Sequence, residues 1–186
     1  VILYVGVYTP LKRVSSINTL VGAVCGALPP MIGWAAVTGR LDAGAWVLGF
    51  LLFIWQIPHF LALAWMYRDD YARGGFRMLP LGDTDGTRTF NVAVLYTMAL
   101  LPLGPLAAIH GVTGWPAAFG SVVLGVGFLT LCLRLRRERT RPAARAVFLA
   151  SLVYLPLVLG LMVVDRGPAP GYDPTRFAGP VVVGHP

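Results

Sequence analysis

The sequence predicts an all-α membrane protein, a polytopic bundle of transmembrane helices, and three observations carry that expectation. The first is composition. Of 186 residues, 56% are apolar and only 12% are charged, with a mean hydropathy of +0.70, against about 25% charged in ordinary soluble domains. A water-facing surface cannot be assembled from so few charges. The second is that the apolar residues fall in long runs. About 20 such residues carry a helix across the hydrocarbon, and lipid offers no partner to an unpaired peptide group, so these runs are read as helices. The third is that the basic residues, 15 Lys plus Arg against 8 Asp plus Glu, sit between the runs. There they address anionic lipid and anionic substrate, and no nucleic acid.

A stub at 1–10 is too short to span by itself, and full runs follow at about 19–38, 43–67, 90–109, 114–133 and 146–164. Gly22, Gly26, Gly120, Gly125 and Gly127 suit helices that approach closely. Pro29-Pro30, Pro58, Pro102, Pro105 and Pro156 are each expected to kink or break a turn. Cys25 and Cys132 lie alone inside apolar runs and read as packing residues.

The connections alternate in charge. One side carries Lys12 and Arg13, then Arg68, Arg73, Arg77 and Arg88, then Arg134, Arg136, Arg137, Arg139, Arg141 and Arg145; the other holds only Arg40, Arg166 and Arg176. The positive-inside rule places the basic connections on the cytoplasmic side of the cell (inner) membrane, with the tail outside. From about Gly167 the chain is rich in Pro and Gly, the pattern of a loosely ordered extracytoplasmic tail. Residues 1–166 then form the membrane domain and 167–186 the tail. Val1 opens inside an apolar stretch with neither a starting Met nor a signal-peptide pattern, as expected of the carboxyl-terminal part of a longer chain.

The connection at 134–145 has six arginines against one acid, Glu138, and reads as a topology anchor on lipid phosphates. The connection at 68–88 is different, because its arginines are mixed with Asp69, Asp70, Asp83 and Asp85. Carboxylates bind Mg²⁺ and arginines bind phosphate oxygens, so the mixture is able to hold a metal-diphosphate group at the membrane surface. A solvated salt-bridge loop is the plain alternative. If the second run stays helical through Arg68, His59 and Asp70 fall within about 20° of one face and about 16 Å apart along the axis. They would then line one groove, its charged end at Asp70 and its apolar end at His59. An ionisable ring at that depth is expected to face the bundle interior or a cavity, or to bond a carbonyl freed by Pro58.

Other readings of these residues fail on context. Asp83-Thr84-Asp85-Gly86-Thr87 looks like a phosphatase nucleophile motif but lacks the buried strand that motif follows. It is also too short for an EF-hand loop. A bis-histidine haem site would need a partner for His59, and His110 and His185 stand on the wrong side.

Taken together, the residues resemble the protohaem IX farnesyltransferase family of UbiA-type membrane prenyltransferases. The resemblance rests on Tyr8-Thr9-Pro10-Leu11-Lys12-Arg13, Asn18, Gly26-Ala27, Pro29-Pro30 and Gly33-Trp34. It continues through Trp55, Pro58-His59-Phe60, Ala62-Leu63-Ala64, Asp70-Tyr71, Gly75, Met78-Leu79-Pro80 and Thr87-Arg88, then Ser151, Tyr154-Leu155, Met162 and Asp165. It implies a nine-helix fold, incomplete here at the N-terminus, in which the stub and the five runs are the fourth through ninth helices. A first acidic motif of that family would lie before Val1, so the chain expressed alone is expected to be inactive. In Asp69-Asp70-Tyr71-Ala72-Arg73 an arginine stands where the DDxxD pattern of other prenyltransferases has a third carboxylate.

The implied activity is transfer of a farnesyl group from farnesyl diphosphate to a vinyl group of protohaem IX (haem B), giving haem O on the way to haem A. Haem is then substrate and not cofactor. Asp70 and Asp69 are implied as ligands of Mg²⁺. Lys12, Arg13, Arg68 and Arg73 are implied as holders of diphosphate oxygens or haem propionates. Asn18, His59, Tyr67, Tyr71, Met78 and Arg88 are implied to bind substrate. Membrane lipids and a downstream haem O-oxidising enzyme are the implied partners. Two alternatives stand beside it: a quinone or chlorophyll-type acceptor on the same fold, and a non-catalytic transporter or respiratory-complex subunit.

Overall fold

A computed structural model of the protein describes residues 18–75 and 79–166. Lys12, Arg13, Met78 and the tail from Gly167 lie outside these residues. The described residues form helices α1 (Asn18–Thr38), α2 (Ala43–Met66), α3 (Arg68–Arg73), α4 (Thr87–Leu100), α5 (Leu103–Ile109), α6 (Trp115–Glu138) and α7 (Arg141–Val164), with a single 3₁₀ turn at Leu79–Leu81. No strand occurs among them. Five segments are long and apolar enough to cross a membrane, α4 and α5 together making one of them.

α2 is the hub. Its 24 residues, about 36 Å at 1.5 Å per residue, pack against α1, α4, α5 and α7, and α6 closes the bundle against α4, α5 and α7. The core between them holds Leu51, Trp65, Phe90, Phe128, Val147 and Tyr154. Many large apolar side chains point outward instead, among them Ile32, Leu95, Phe119, Val153 and Val163. A soluble protein does not expose so much apolar surface, whereas a bilayer covers it. Of the glycines expected at close approaches, Gly26, Gly120 and Gly125 lie against Gln56, Leu161 and Leu101, whereas a Cβ on Gly127 would meet open space. A Cβ on Gly26 would strike the Gln56 amide, one on Gly49 the Met31 side chain, and one on Gly104 the Ser121 hydroxyl. Cys132 is buried and lies 3.3 Å from Thr97 Oγ1, a packing residue.

Helix ends show how the bundle is tied. Asp42 caps α2 by accepting from Gly44 N at 3.1 Å, and Thr140 caps α7 by accepting from Ala143 N at 3.3 Å. At the end of α7, Asp165 Oδ2 accepts from Ala117 N at 2.7 Å and its carbonyl accepts from Gly114 N at 2.7 Å. One carboxylate thus satisfies a donor at the start of α6, the usual duty of an N-cap. At the opposite end Arg139 bonds Asp85. The α2–α4 and α6–α7 connections therefore share one end of the bundle, and the α5–α6 connection shares the other with the end of α7.

Several expectations need correction. The second run does not stay helical through Arg68: Tyr67, at φ −113 and ψ 23, ends α2, and α3 begins anew. The register that was to align His59 with Asp70 is therefore lost. The third span is broken at Leu101-Pro102, as Pro102 predicts. Pro29-Pro30, Pro58 and Pro156 break nothing, since α1, α2 and α7 continue through them. The arginines of 134–145 form no long loop; all but Arg139 lie within α6 or α7.

Candidate functional site

Trp65 and Tyr67 stand at the last turn of α2, and α3 then carries Asp69 and Asp70 in its first turn. The Arg68 guanidinium lies 5.1 Å from the centre of the Trp65 ring and its Nε is 3.7 Å from Asp69. Arg73 pairs with Asp70 one turn along. Both acids are in water, the Asp69 side chain 90% exposed and that of Asp70 56%. Exposed pairs of this kind are worth only about 0.2–1 kcal/mol, so neither carboxylate is committed to its arginine. Arg73 occupies the position of the third DDxxD carboxylate and screens Asp70.

Asp83 and Asp85 are spent on architecture. Asp83 is buried and accepts from Thr89 N at 2.7 Å, tying down the first turn of α4. Asp85 accepts from Thr87 through both its hydroxyl and its amide, and Arg139 Nη1 donates to its carbonyl at 3.0 Å and to its carboxylate at 3.3 Å. The Thr87 hydroxyl, then the Thr87 amide, and more weakly Arg139, hold the Asp85 carboxyl down at about 2 from an ordinary 3.8. Gly86, at φ +75, makes the reversal between them. No three His, Cys, Asp or Glu side chains converge as a metal cage among the described residues. The exposed carboxylates of α3 would each be open to a magnesium ion that takes most of its ligands from phosphate and water.

His59 sits between α2 and α7. Its ring stacks between Trp55, centroids 5.0 Å apart, and Phe148, at 4.8 Å. Its Nδ1 lies 2.8 Å from Ser151 Oγ, not on a carbonyl freed by Pro58. Ser151 Oγ donates its only proton to the Phe148 carbonyl at 2.5 Å, so it accepts from His59 Nδ1–H. The neutral ring thereby carries its proton on Nδ1 and leaves Nε2 as a lone pair. Trp55 Nε1 donates to the Ser151 carbonyl at 2.9 Å, which fixes the same corner a second time.

Above Phe148 lies a groove of about 600 Å³ between the end of α2 and the start of α7, lined by Met66, Tyr67, Arg141, Arg145, Phe148 and Leu149. Arg141 lies 5.8 Å from the Tyr67 ring centre. The structure thus gathers Tyr67, Arg68, Asp69, Asp70 and Arg73 around one turn of chain. Tyr71 is half-buried beside them and Arg88 is exposed on α4, while Asn18 opens α1. Arg141 and Arg145 were read from sequence as a lipid anchor. Their spacing, followed by Phe148 on the same helix face, was the available signal for a lined cavity.

The described residues thus form a bundle of apolar, membrane-spanning helices with exposed carboxylates and arginines at one end. Residues 1–152 match the UbiA prenyltransferase family, and the chain belongs to that family. It is 46% identical over 163 residues to the protoheme IX farnesyltransferase of Solibacter usitatus, covering 88% of this chain and 56% of that protein. It is 47% identical over 164 residues to the one of Opitutus terrae, with the same coverage. To the mitochondrial protoheme IX farnesyltransferase of Homo sapiens it is 42% identical over 180 residues, 97% of this chain and 39% of that protein. The chain therefore spans about half the length of the curated bacterial relatives it matches. No solved structure matches it.

Proposed function

We propose that this protein transfers a farnesyl group from farnesyl diphosphate to a vinyl group of protohaem IX, yielding haem O and releasing diphosphate. The identity to proteins of that name, 46% and 47% over most of the chain, carries the reading and favours haem over a quinone or chlorophyll-type acceptor. The separation of an exposed aspartate pair from an apolar bundle interior supports it, because the reaction makes the same division. Cleaving the carbon–oxygen bond leaves a highly charged diphosphate and an allylic cation. The first must be neutralised and the second kept from water.

Asp70, with Asp69, would hold magnesium, which when bound neutralises the diphosphate leaving group. Arg73 and Arg68 stand beside those carboxylates and would take diphosphate oxygens, with Lys12, Arg13 and Arg88 as further cations and Asn18 and Tyr71 as hydrogen-bonding partners. Tyr67, at the end of α2, would border the substrates, and Met78 would also contact them. His59 would face the acceptor or the isoprenoid. The charge of the connections supports a rim on the cytoplasmic side of a cell membrane.

Replacing Asp70 by Asn tests the reading. Haem extracted from cells that depend on this protein should lose its haem O, and added Mg²⁺ should not restore it. Unchanged haem O in cells carrying that variant at normal abundance would favour a non-catalytic role.

A further inference from the structure

Five arginines of the described residues face a carboxylate: Arg40, Arg68, Arg73, Arg134 and Arg139. Arg141 and Arg145 face none there, yet both line the 600 Å³ groove. That volume lies within the range of about 300–1,000 Å³ typical of small-molecule sites. The two residues are four apart on α7, so their stems stand about 5–6 Å from each other on one face. Below them the groove turns apolar through Met66, Phe148 and Leu149, and Phe148 stacks on His59. Its shape and polarity are those of an amphiphile with an anionic edge and a broad apolar body.

The identity of the anionic edge follows from what the groove lacks. Among the described residues no carboxylate lines it, so none of them would hold the magnesium that accompanies a diphosphate, a role assigned above to Asp69 and Asp70. Guanidinium groups without acids, with a tyrosine beside them, fit a metal-free planar oxyanion, and a carboxylate takes a guanidinium fork in bidentate fashion. We propose that Arg141 and Arg145 bind the carboxylates of the prenyl acceptor and so orient its ring system against Phe148. They act as acceptor-positioning residues, which leaves Arg68 and Arg73, beside the aspartates of α3, to the diphosphate. The inference rests on the acceptor assigned above.

Absorbance titration of the full chain in neutral detergent, with protohaem IX and with its dimethyl ester, tests it. The wild-type protein should prefer the free acid by about tenfold or more for each guanidinium engaged, the scale of a charged hydrogen-bonded contact. R141Q/R145Q should lose most of that preference while keeping its affinity for the ester, which also shows that the variant is folded. R141K/R145K, which keeps the charge without the fork, should fall between. Should R141Q/R145Q retain the full preference, the inference fails while the proposed reaction stands. Should that variant retain it and instead lose binding to vesicles rich in phosphatidylglycerol, the groove belongs to a lipid headgroup and the inference fails. A wild-type protein that binds neither acid nor ester would overturn both the acceptor assignment and the groove.

Discussion

Asp83 and Asp85 differ from Asp69 and Asp70, earlier in the same connection, in what occupies their oxygens. The later pair is consumed by the fold: Asp83 holds the first turn of α4 and Asp85 holds Thr87 and Arg139. The earlier pair stands in water beside arginines that it is free to exchange. Four chemically identical side chains thus differ in their partners: Asp83 and Asp85 bond the chain at the start of α4 and Arg139, whereas Asp69 and Asp70 pair only with arginines of their own helix. Asp83 is buried and bonded to the α4 amide of Thr89, while Asp85, itself exposed, is held by Thr87 and Arg139.

The largest expected effect separates the two pairs. Asp70→Asn should lower the proposed farnesyl transfer, read as haem O in cells that depend on this protein, by about 100-fold or more, with an unchanged melting temperature in detergent. Asp83→Ala should do the reverse: a stability loss of about 1–2 kcal/mol, from a helix-cap bond to a buried amide, with near-normal turnover in whatever remains folded. Equal losses of turnover in both variants would erase the distinction drawn here. Ser151→Ala should cost about 1 kcal/mol, read from unfolding in mixed detergent, because His59 Nδ1 loses its acceptor. Ser151→Thr should restore it.

The smallest effect concerns pH. The folded-state value of Asp85, about 2, lies below its ordinary 3.8. A depressed carboxyl contributes stability that is present above the ordinary value and lost as pH falls through the folded one. The melting temperatures of wild type and Asp85→Asn should therefore differ by a small constant amount from neutrality down to about pH 4. They should converge between there and about pH 2. A gap that widens on acidification would contradict the assigned cause.

The spans were legible because lipid allows so few solutions for a long apolar run, and the shared end of the α2–α4 and α6–α7 connections was legible from their charge. The stop at Tyr67 was not. Neither Gly nor Pro stands between Trp65 and Asp70, so local propensity favours continuation, and the break comes from how the chain must turn toward Leu79–Leu81 and α4. The candidate aspartates could be named from composition and resemblance. Their sorting could not, since Asp83 meets Thr89 only after Gly86 reverses the chain. Arg141 and Arg145 read as ordinary interfacial cations until α7 is laid beside α2, where Tyr67, distant in sequence, becomes the far wall of their groove.

Only Arg139 and Thr140 separate α6 from α7, and Arg139 takes a left-handed φ of 53 to do it. Such a short reversal has no slack, and its first residue is also bolted to Asp85. The α6–α7 reversal is consequently pinned twice, by its own backbone and by the segment that leads into α4.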